Sequence, residues 1–362
     1  MRFLSIVLNL KYFPFLLFCL FGFKSLAQKD STDVSLKVLP LAFYSPDTKF
    51  GGGAAGIVSF KLDTASLKTS SITFGLAYTQ LKQTLCYAPF NLFTKNDEYW
   101  FYGELGYYDY IFNFFGTGNE IDPNFIEKYD ARFPRIRLNA LKKVGGNLYL
   151  GLSYLYDNFE IKNYRNDAIL LQGNVTGWNG GVFSGIGINA NYDSRNHVFY
   201  PSEGILLRTN LSLESEKIGS DFSYQKLELD FAKYFKIGES AVLAVNAVSI
   251  NTIGDTPFQQ MAFLGGTKRL RGYFEGKYRD KNMFMLQSEF RYFFTNRLGG
   301  VVFAGAGEVY DGFSAISTQH IRPNAGAGIR FALDPIRKIN VRLDYGIGYK
   351  SSGFYLTVNE AF

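Results

Sequence analysis

The two histidines of this 362-residue chain, His197 and His320, are its only side chains that ordinarily titrate near neutral pH. Nucleophilic catalysis needs a histidine within hydrogen-bond reach of a nucleophile and of an orienting carboxylate, and neither histidine has a serine motif beside it. The run Gly51-Gly52-Gly53 lacks the Lys-Ser or Lys-Thr with which a phosphate loop grips its ligand. Of the two cysteines, Cys19 and Cys86, only the second lies beyond the N-terminal leader, so neither a disulfide framework nor a thiolate metal cluster is expected. Glu228 and Asp230 share one face of a strand-like segment and could do acid–base work, though a charged, solvated wall accounts for them as well. No catalytic residue, metal site or cofactor is therefore expected, and the chain reads as a non-enzyme. The densest chemistry is ionic: Phe263-Leu264-Gly265-Gly266-Thr267-Lys268-Arg269-Leu270-Arg271-Gly272-Tyr273 sets three cations among three glycines.

The elements that must hold these residues follow from hydropathy. Arg2 and Lys11 lead into the apolar run Tyr12–Phe23, and small residues stand at Ser25 and Ala27, so residues 1–27 read as a signal peptide and the mature chain as 28–362. A lipid anchor on Cys19 fits less well, because Phe18 stands where a lipoprotein signal needs a small residue, as does a retained transmembrane helix. Past the leader no stretch of about 18 residues is predominantly apolar, which leaves only strands to cross a membrane. Hydrophobic residues make up 47% of the chain, yet its mean hydropathy is only −0.05, so apolar and polar residues must be interleaved. A soluble β-protein alternates too, but the 17% aromatic content favours a barrel with aromatic girdles at the bilayer interfaces. Removing Arg2, Lys11 and Lys24 leaves a mature charge of about +3, too weak to argue for nucleic acid.

Five segments alternate clearly enough to assign faces. Phe284, Leu286, Phe290, Tyr292 and Phe294 oppose Gln287, Glu289 and Arg291. Ile205, Leu207, Leu211 and Leu213 oppose Arg208, Asn210, Ser212 and Glu214, and Leu227, Leu229 and Phe231 oppose Lys226, Glu228 and Asp230. Arg135, Arg137 and Asn139 oppose Ile136 and Leu138; Arg342 and Asp344 oppose Val341, Leu343, Tyr345 and Ile347. A soluble core would rarely tolerate so many charges, so the polar faces are expected to meet water in a lumen. The pattern predicts an all-β protein, a transmembrane antiparallel β-barrel of about 16 strands: 34–44, 50–62, 70–81, 84–94, 98–110, 131–143, 147–159, 181–193, 203–216, 220–236, 240–252, 281–295, 299–310, 321–333, 338–348 and 352–361. With both ends in the periplasm, the short turns at 95–97, 144–146, 236–238 and 334–337 fall inside and the long connections 111–130, 160–180 and 253–280 outside.

The Phe263–Tyr273 segment, placed before the strand at 281–295, resembles the conserved loop of the BamA/TamA-like outer-membrane family, also called the bacterial surface antigen family. That resemblance implies a loop 253–280 folded into the lumen, with Arg271 on an acidic lumenal wall, Gly272 at the tight tip and Tyr273 packed beside it; an exposed cationic loop is the plainer alternative. Phe303-Ala304-Gly305-Ala306-Gly307 resembles a family strand with an inward Asp where this chain has Gly305. The partner of Arg271 then falls to Glu289, Glu308 being out of phase with the lumen. Asp193-Ser194-Arg195-Asn196-His197-Val198-Phe199-Tyr200-Pro201-Ser202-Glu203-Gly204 resembles the family's periplasmic turn, with Asp193, Arg195, Pro201 and Gly204 as its marks and Asn196 where an Asp is common. Physically it reads as a structural turn, with partner contact as the alternative. Leu39–Phe60, Phe115-Gly116-Thr117-Gly118-Asn119 and the terminal Phe362, like the aromatic that such barrels present to their assembly machinery, are similar to the family too.

Only residues 28–33 separate the expected cleavage point from the first strand, so the resemblance implies a barrel-only member without the family's periplasmic POTRA modules. The implied setting is the bacterial outer membrane and its lipid. The implied work is outer-membrane protein assembly or export, with the barrel assembly machinery met during biogenesis and periplasmic or outer-membrane proteins as partners. A gated channel for small solutes is the alternative.

Overall fold

A computed structural model describes residues 34–45, 49–62, 66, 68–122, 125–164, 169–170 and 172–362. The expected signal peptide at 1–27 and the Pro46-Asp47-Thr48 segment lie outside the described residues. Sixteen strands form one antiparallel sheet in which each pairs with its neighbour in sequence. They are β1 (Val34–Ser45), β2 (Lys49–Phe60), β3 (Ser70–Thr79), β4 (Thr84–Phe93), β5 (Tyr99–Phe114), β6 (Glu127–Gly145), β7 (Leu148–Tyr164), β8 (Gly180–Asp193), β9 (Gly204–Glu214), β10 (Tyr224–Ile237) and β11 (Ala241–Gly254), then β14 (Asn282–Phe293), β15 (Leu298–Tyr310), β16 (Arg322–Asp334), β17 (Ile339–Gly348) and β18 (Ser351–Val358). The intervening β12 (Ala262–Leu264) and β13 (Tyr278–Asp280) form a small hairpin of their own inside the longest connection.

Every one of the five alternating segments takes the expected phase. Leu286, Phe290, Tyr292, Leu211, Leu213, Phe231, Leu138, Leu343 and Ile347 are exposed on the outer face, where lipid rather than water satisfies them, while Glu289, Arg291, Arg135, Arg342 and Asp344 are buried on the inner face. The expectation that the inner charges meet water in a lumen is not met at Glu289, Arg291, Arg135, Arg342 and Asp344, which are buried. Aromatic rings fill part of the interior, with Phe133 and Phe159 stacked at 4.1 Å and Tyr108 and Phe133 at 4.9 Å, and Arg135 lies over both Tyr108 and Phe133. Its partner Asp157 is wholly buried. At Arg208, Asp230 and Glu228, with side chains 37%, 30% and 39% exposed, the wall keeps appreciable contact with water.

Several boundaries depart from expectation, β7 running on to Tyr164 instead of 159 and β10 starting at Tyr224 instead of 220. β5 and β6 pair as far as Phe114 opposite Glu127, so the connection expected at 111–130 shrinks to its middle; Phe112 stacking on Tyr129 and Phe114 packing on Phe258 hold the extension together. The last strand stops at Val358 instead of running to 361, because Asn359 takes a left-handed φ of 66° and turns the chain inward. Strand lengths are uneven: 19 residues in β6 and 17 in β7, against 10 in β17 and 8 in β18. Among the described residues β1 pairs only with β2 and β18 only with β17. Beyond that unladdered edge β1 touches β16, with Ser35 Oγ donating to Asp334 Oδ2 at 3.2 Å.

Candidate functional site

The connection between β11 and β14 enters the barrel and presents Leu270, Arg271 and Tyr273 with no exposed surface. Gly265 and Gly266, at φ of 99° and 88°, make the turn that starts the descent. At the tip, Gly272 (φ 118°) lies so close to β17 that an added Cβ would sit 2.6 Å from the Ile347 carbonyl carbon, and one on Gly346 would sit 2.6 Å from the Arg271 carbonyl. Two glycines thus let backbone meet backbone. The Gly272 N–H donates to Tyr355 Oη at 2.8 Å, and that hydroxyl donates in turn to the Tyr273 carbonyl at 3.0 Å. Tyr273 Oη donates to the Pro323 carbonyl (2.5 Å) and accepts from the Tyr349 N–H (2.8 Å). Asn324 Nδ2 closes the ring of contacts on the Arg271 carbonyl at 2.7 Å.

Arg271 bonds Glu289 through Nη2 and Asp344 through Nη1, and its guanidinium lies 3.6 Å from the centre of the Phe303 ring. Glu289 is the residue expected there; Asp344 is an additional partner that the sequence reading did not assign. Gly305 has no room for a side chain: a Cβ there would lie 2.7 Å from Gln287 Cβ and from the Leu286 carbonyl oxygen, and 2.9 Å from Leu270 Cδ2. Around this pair sits a wider network. Asp344 also takes Arg330 Nη1 at 2.5 Å and Arg342 Nη1 at 2.8 Å, and Glu289 takes Arg291 Nη2 at 2.6 Å. Glu360, beyond β18, takes Arg330 Nε at 2.8 Å. Four guanidiniums therefore share three carboxylates in a space that excludes water. Buried arginine suits such packing because its planar fork stays charged and bonds two acceptors at once. Glu308 takes no part: it lies beneath the 311–321 connection, accepting from the Ser317 N–H at 3.1 Å, with His320 Nδ1 3.6 Å away.

The turn motif lies at the opposite end. Asp193 receives Arg195 Nε at 2.9 Å and Nη2 at 3.0 Å, and Lys68 Nζ at 2.9 Å. The Lys68 ammonium faces the Phe93, Trp100 and Tyr149 rings at 5.3, 5.7 and 5.2 Å, and burial there lowers its pKa despite Asp193. Gly204 (φ 101°) is obligatory, since a Cβ would lie 2.2 Å from the Ser194 carbonyl oxygen. Asn196 uses its amide to donate to Ser202 Oγ at 2.7 Å, which an Asp could not do. His197 Nδ1 accepts the Phe199 and Tyr200 N–H groups at 3.2 and 3.4 Å, and burial, reinforced by Lys338 and Arg195, brings its pKa down to about 4. Pro201 and its neighbours Phe199 and Tyr200 are buried, so the turn tucks into the mouth of the barrel. Phe362 is half-buried off the last strand, its ring 5.2 Å from the Arg291 guanidinium. The two histidines fall in connections at opposite ends of the barrel.

The Omp85 superfamily domain model matches residues 58–362, from within β2 to the last residue. The chain belongs to the Omp85 superfamily. As an Omp85 barrel it is a protein of the bacterial outer membrane. No curated protein matches its sequence. Among solved structures this Omp85 chain is similar to BamA from Haemophilus ducreyi lacking POTRA domains 1–3, with 15% identity and a TM-score of 0.55, over 90% of this chain and 69% of that one. It is similar to CdiB from Acinetobacter baumannii (11%, TM-score 0.53) and CdiB from Escherichia coli (11%, TM-score 0.55), again over 90% of its length. It spans only 65% and 61% of those two chains. Identities this low show a shared Omp85 fold.

Proposed function

We propose that this chain is a non-enzymatic outer-membrane barrel, exported by the leader at 1–27 and folding from Gln28 as one domain, that acts with partner proteins in membrane-protein assembly or export. The connection 253–280 serves as its lock, held by Arg271, Gly272 and Tyr273 against Glu289 and Asp344. The observation that carries this reading is the edge of the sheet, where β1 and β18 lack a ladder to each other among the described residues. An unpaired edge offers backbone N–H and C=O groups to an incoming strand, and the neighbouring interior is occupied by the Arg271 network. Membership of the Omp85 superfamily supports the same class of work. The periplasmic turn Asp193–Gly204, with its tightly held backbone, reads as a structural cap of the barrel mouth.

The test is a disulfide that ties β1 to β16, spanning the edge strands β17 and β18. Ser35→Cys with Asp334→Cys, in a Cys86→Ser background, joins positions whose side chains already touch. Oxidation should lower the outer-membrane protein content of cells, and reduction should restore it. Normal content with β1 tied to β16 refutes the reading. A gated channel is the second reading, favoured by the water-contacting Arg208 and Asp230 wall. It gains if Arg271→Ala raises conductance in planar bilayers while outer-membrane protein content stays normal.

A further inference from the structure

We infer that Glu360 is a positioning residue for the Arg271 dock, and that the segment after β18 is therefore part of the seat which holds the loop. This inference rests on the reading of the loop as a lock. After Val358 the backbone N–H of Asn359 donates to the Asn340 carbonyl at 2.7 Å and the chain leaves the sheet. The Glu360 side chain ends 1% exposed inside the barrel. Its Oε1 accepts Asn340 Nδ2 at 3.0 Å; its Oε2 accepts Arg330 Nε at 2.8 Å and lies 4.0 Å from Arg291 Nε. Arg291 Nη2 donates to the Phe362 main-chain oxygen at 3.1 Å.

Glu360 has no bond to Arg271, yet it governs the competition for the carboxylates that hold Arg271. Asp344 is shared among Arg271, Arg330 and Arg342, and Glu289 between Arg271 and Arg291. Glu360 engages Arg330 and approaches Arg291, the rivals of Arg271 at both sites. With its charge removed, four buried guanidiniums would face two side-chain carboxylates where neither water nor salt can screen them. Arg291, Arg330 and Arg342 are fixed on β14, β16 and β17. Arg271 alone is on a loop, so Arg271 is the cation that excess positive charge expels.

Limited proteolysis of the 262–280 segment in outer membranes tests this. Glu360→Gln, which removes charge at constant shape, should raise loop cleavage about tenfold, within the range that couplings between sites span. Asn340→Ala, which frees Glu360 Oε1 without changing the charge count, should act in the same direction and less. Added to Arg271→Ala, Glu360→Gln should bring no further increase, whereas a general loosening of the barrel would add to it. Heat-dependent gel migration confirms that each variant has folded; if Glu360→Gln does not fold, Asn340→Ala decides alone. Unchanged cleavage in a folded Glu360→Gln variant, or in Asn340→Ala when it decides, overturns the inference, as does an additive double variant. If Arg271→Ala itself leaves cleavage unchanged, the lock reading falls, and this inference with it.

Discussion

Removing Arg271 should cost less than removing the carboxylate it shares. Truncating one partner of a buried ion pair costs about 3–5 kcal/mol, chiefly because the other charge is stranded. Arg271→Ala strands nothing: Asp344 keeps Arg330 at 2.5 Å and Arg342 at 2.8 Å, and Glu289 keeps Arg291 at 2.6 Å. Three guanidiniums then face three carboxylates, so the cost should lie near about 3 kcal/mol, a roughly 150-fold rise in the open-loop population. Asp344→Asn strands Arg342, whose carboxylate contact is Asp344, and leaves four guanidiniums to Glu289 and Glu360. Its cost should approach about 5 kcal/mol. Protease sensitivity of 262–280 reads the open population when reclosing outpaces cleavage. The double variant should be less damaging than the sum of the two, since each removes the same bond. Equal or reversed costs would refute the charge-balance reasoning, and strict additivity would mean that Arg271 and Asp344 do not act on each other.

Four further outcomes are expected. Gly346→Ala should displace the loop tip, because its Cβ would clash with the Arg271 carbonyl carbon and oxygen at 2.6 Å, and hydrogen exchange at Gly272 and Tyr273 should quicken; unchanged protection would mean that the tip does not press on β17. His197 has a folded pKa near 4, below its unfolded value of about 6.5, so its neutral form is the one bound by folding. The stability it contributes is complete above about pH 6.5 and is lost as pH falls toward 4, and His197→Asn should flatten thermal stability across that window. Cysteines at Asn174 and Lys236 in a Cys86→Ser background should label oppositely on intact cells, the first with an impermeant maleimide and the second not; the reverse inverts the barrel. Unboiled protein should migrate differently from boiled protein on a denaturing gel, and identical migration together with a helical circular dichroism spectrum would contradict the fold.

The strand pattern was legible because lipid on one side and charge on the other impose a period of two, and the phases of β6, β9, β10, β14 and β17 all follow it. The Arg271–Glu289 contact was legible through family resemblance and the inward phase of Glu289. Asp344 could have been found the same way: it shares the polar face with Arg342, but stopping at one partner ignored that a guanidinium can bond two. Glu360 carried a different signal. In a strand continued past Val358 it would point outward with Leu356 and Val358, placing a carboxylate in lipid, so the strand had to break before it. The β12–β13 hairpin left little trace, because three-residue strands are too short to show a period. The added length of β5 and β6 was hidden for another reason: Phe112 stacks on Tyr129 of the adjacent strand, and Phe114 and Tyr129 both pack on Phe258 of the inserted connection, contacts that no single-strand pattern contains.

The unequal strands have a consequence for the membrane itself. At a rise of about 3.4 Å per residue and a tilt near 45°, the eight residues of β18 reach only about 19 Å along the bilayer normal, short of a hydrocarbon core about 30 Å thick. The nineteen of β6 exceed that core with length to spare. Lipid beside the seam must therefore compress or leave acyl chains against polar wall, and hydrophobic mismatch becomes a local property of one side of the barrel. Reconstitution in lipids of increasing chain length should destabilise β17 and β18, read by hydrogen exchange, before it affects β5 to β7.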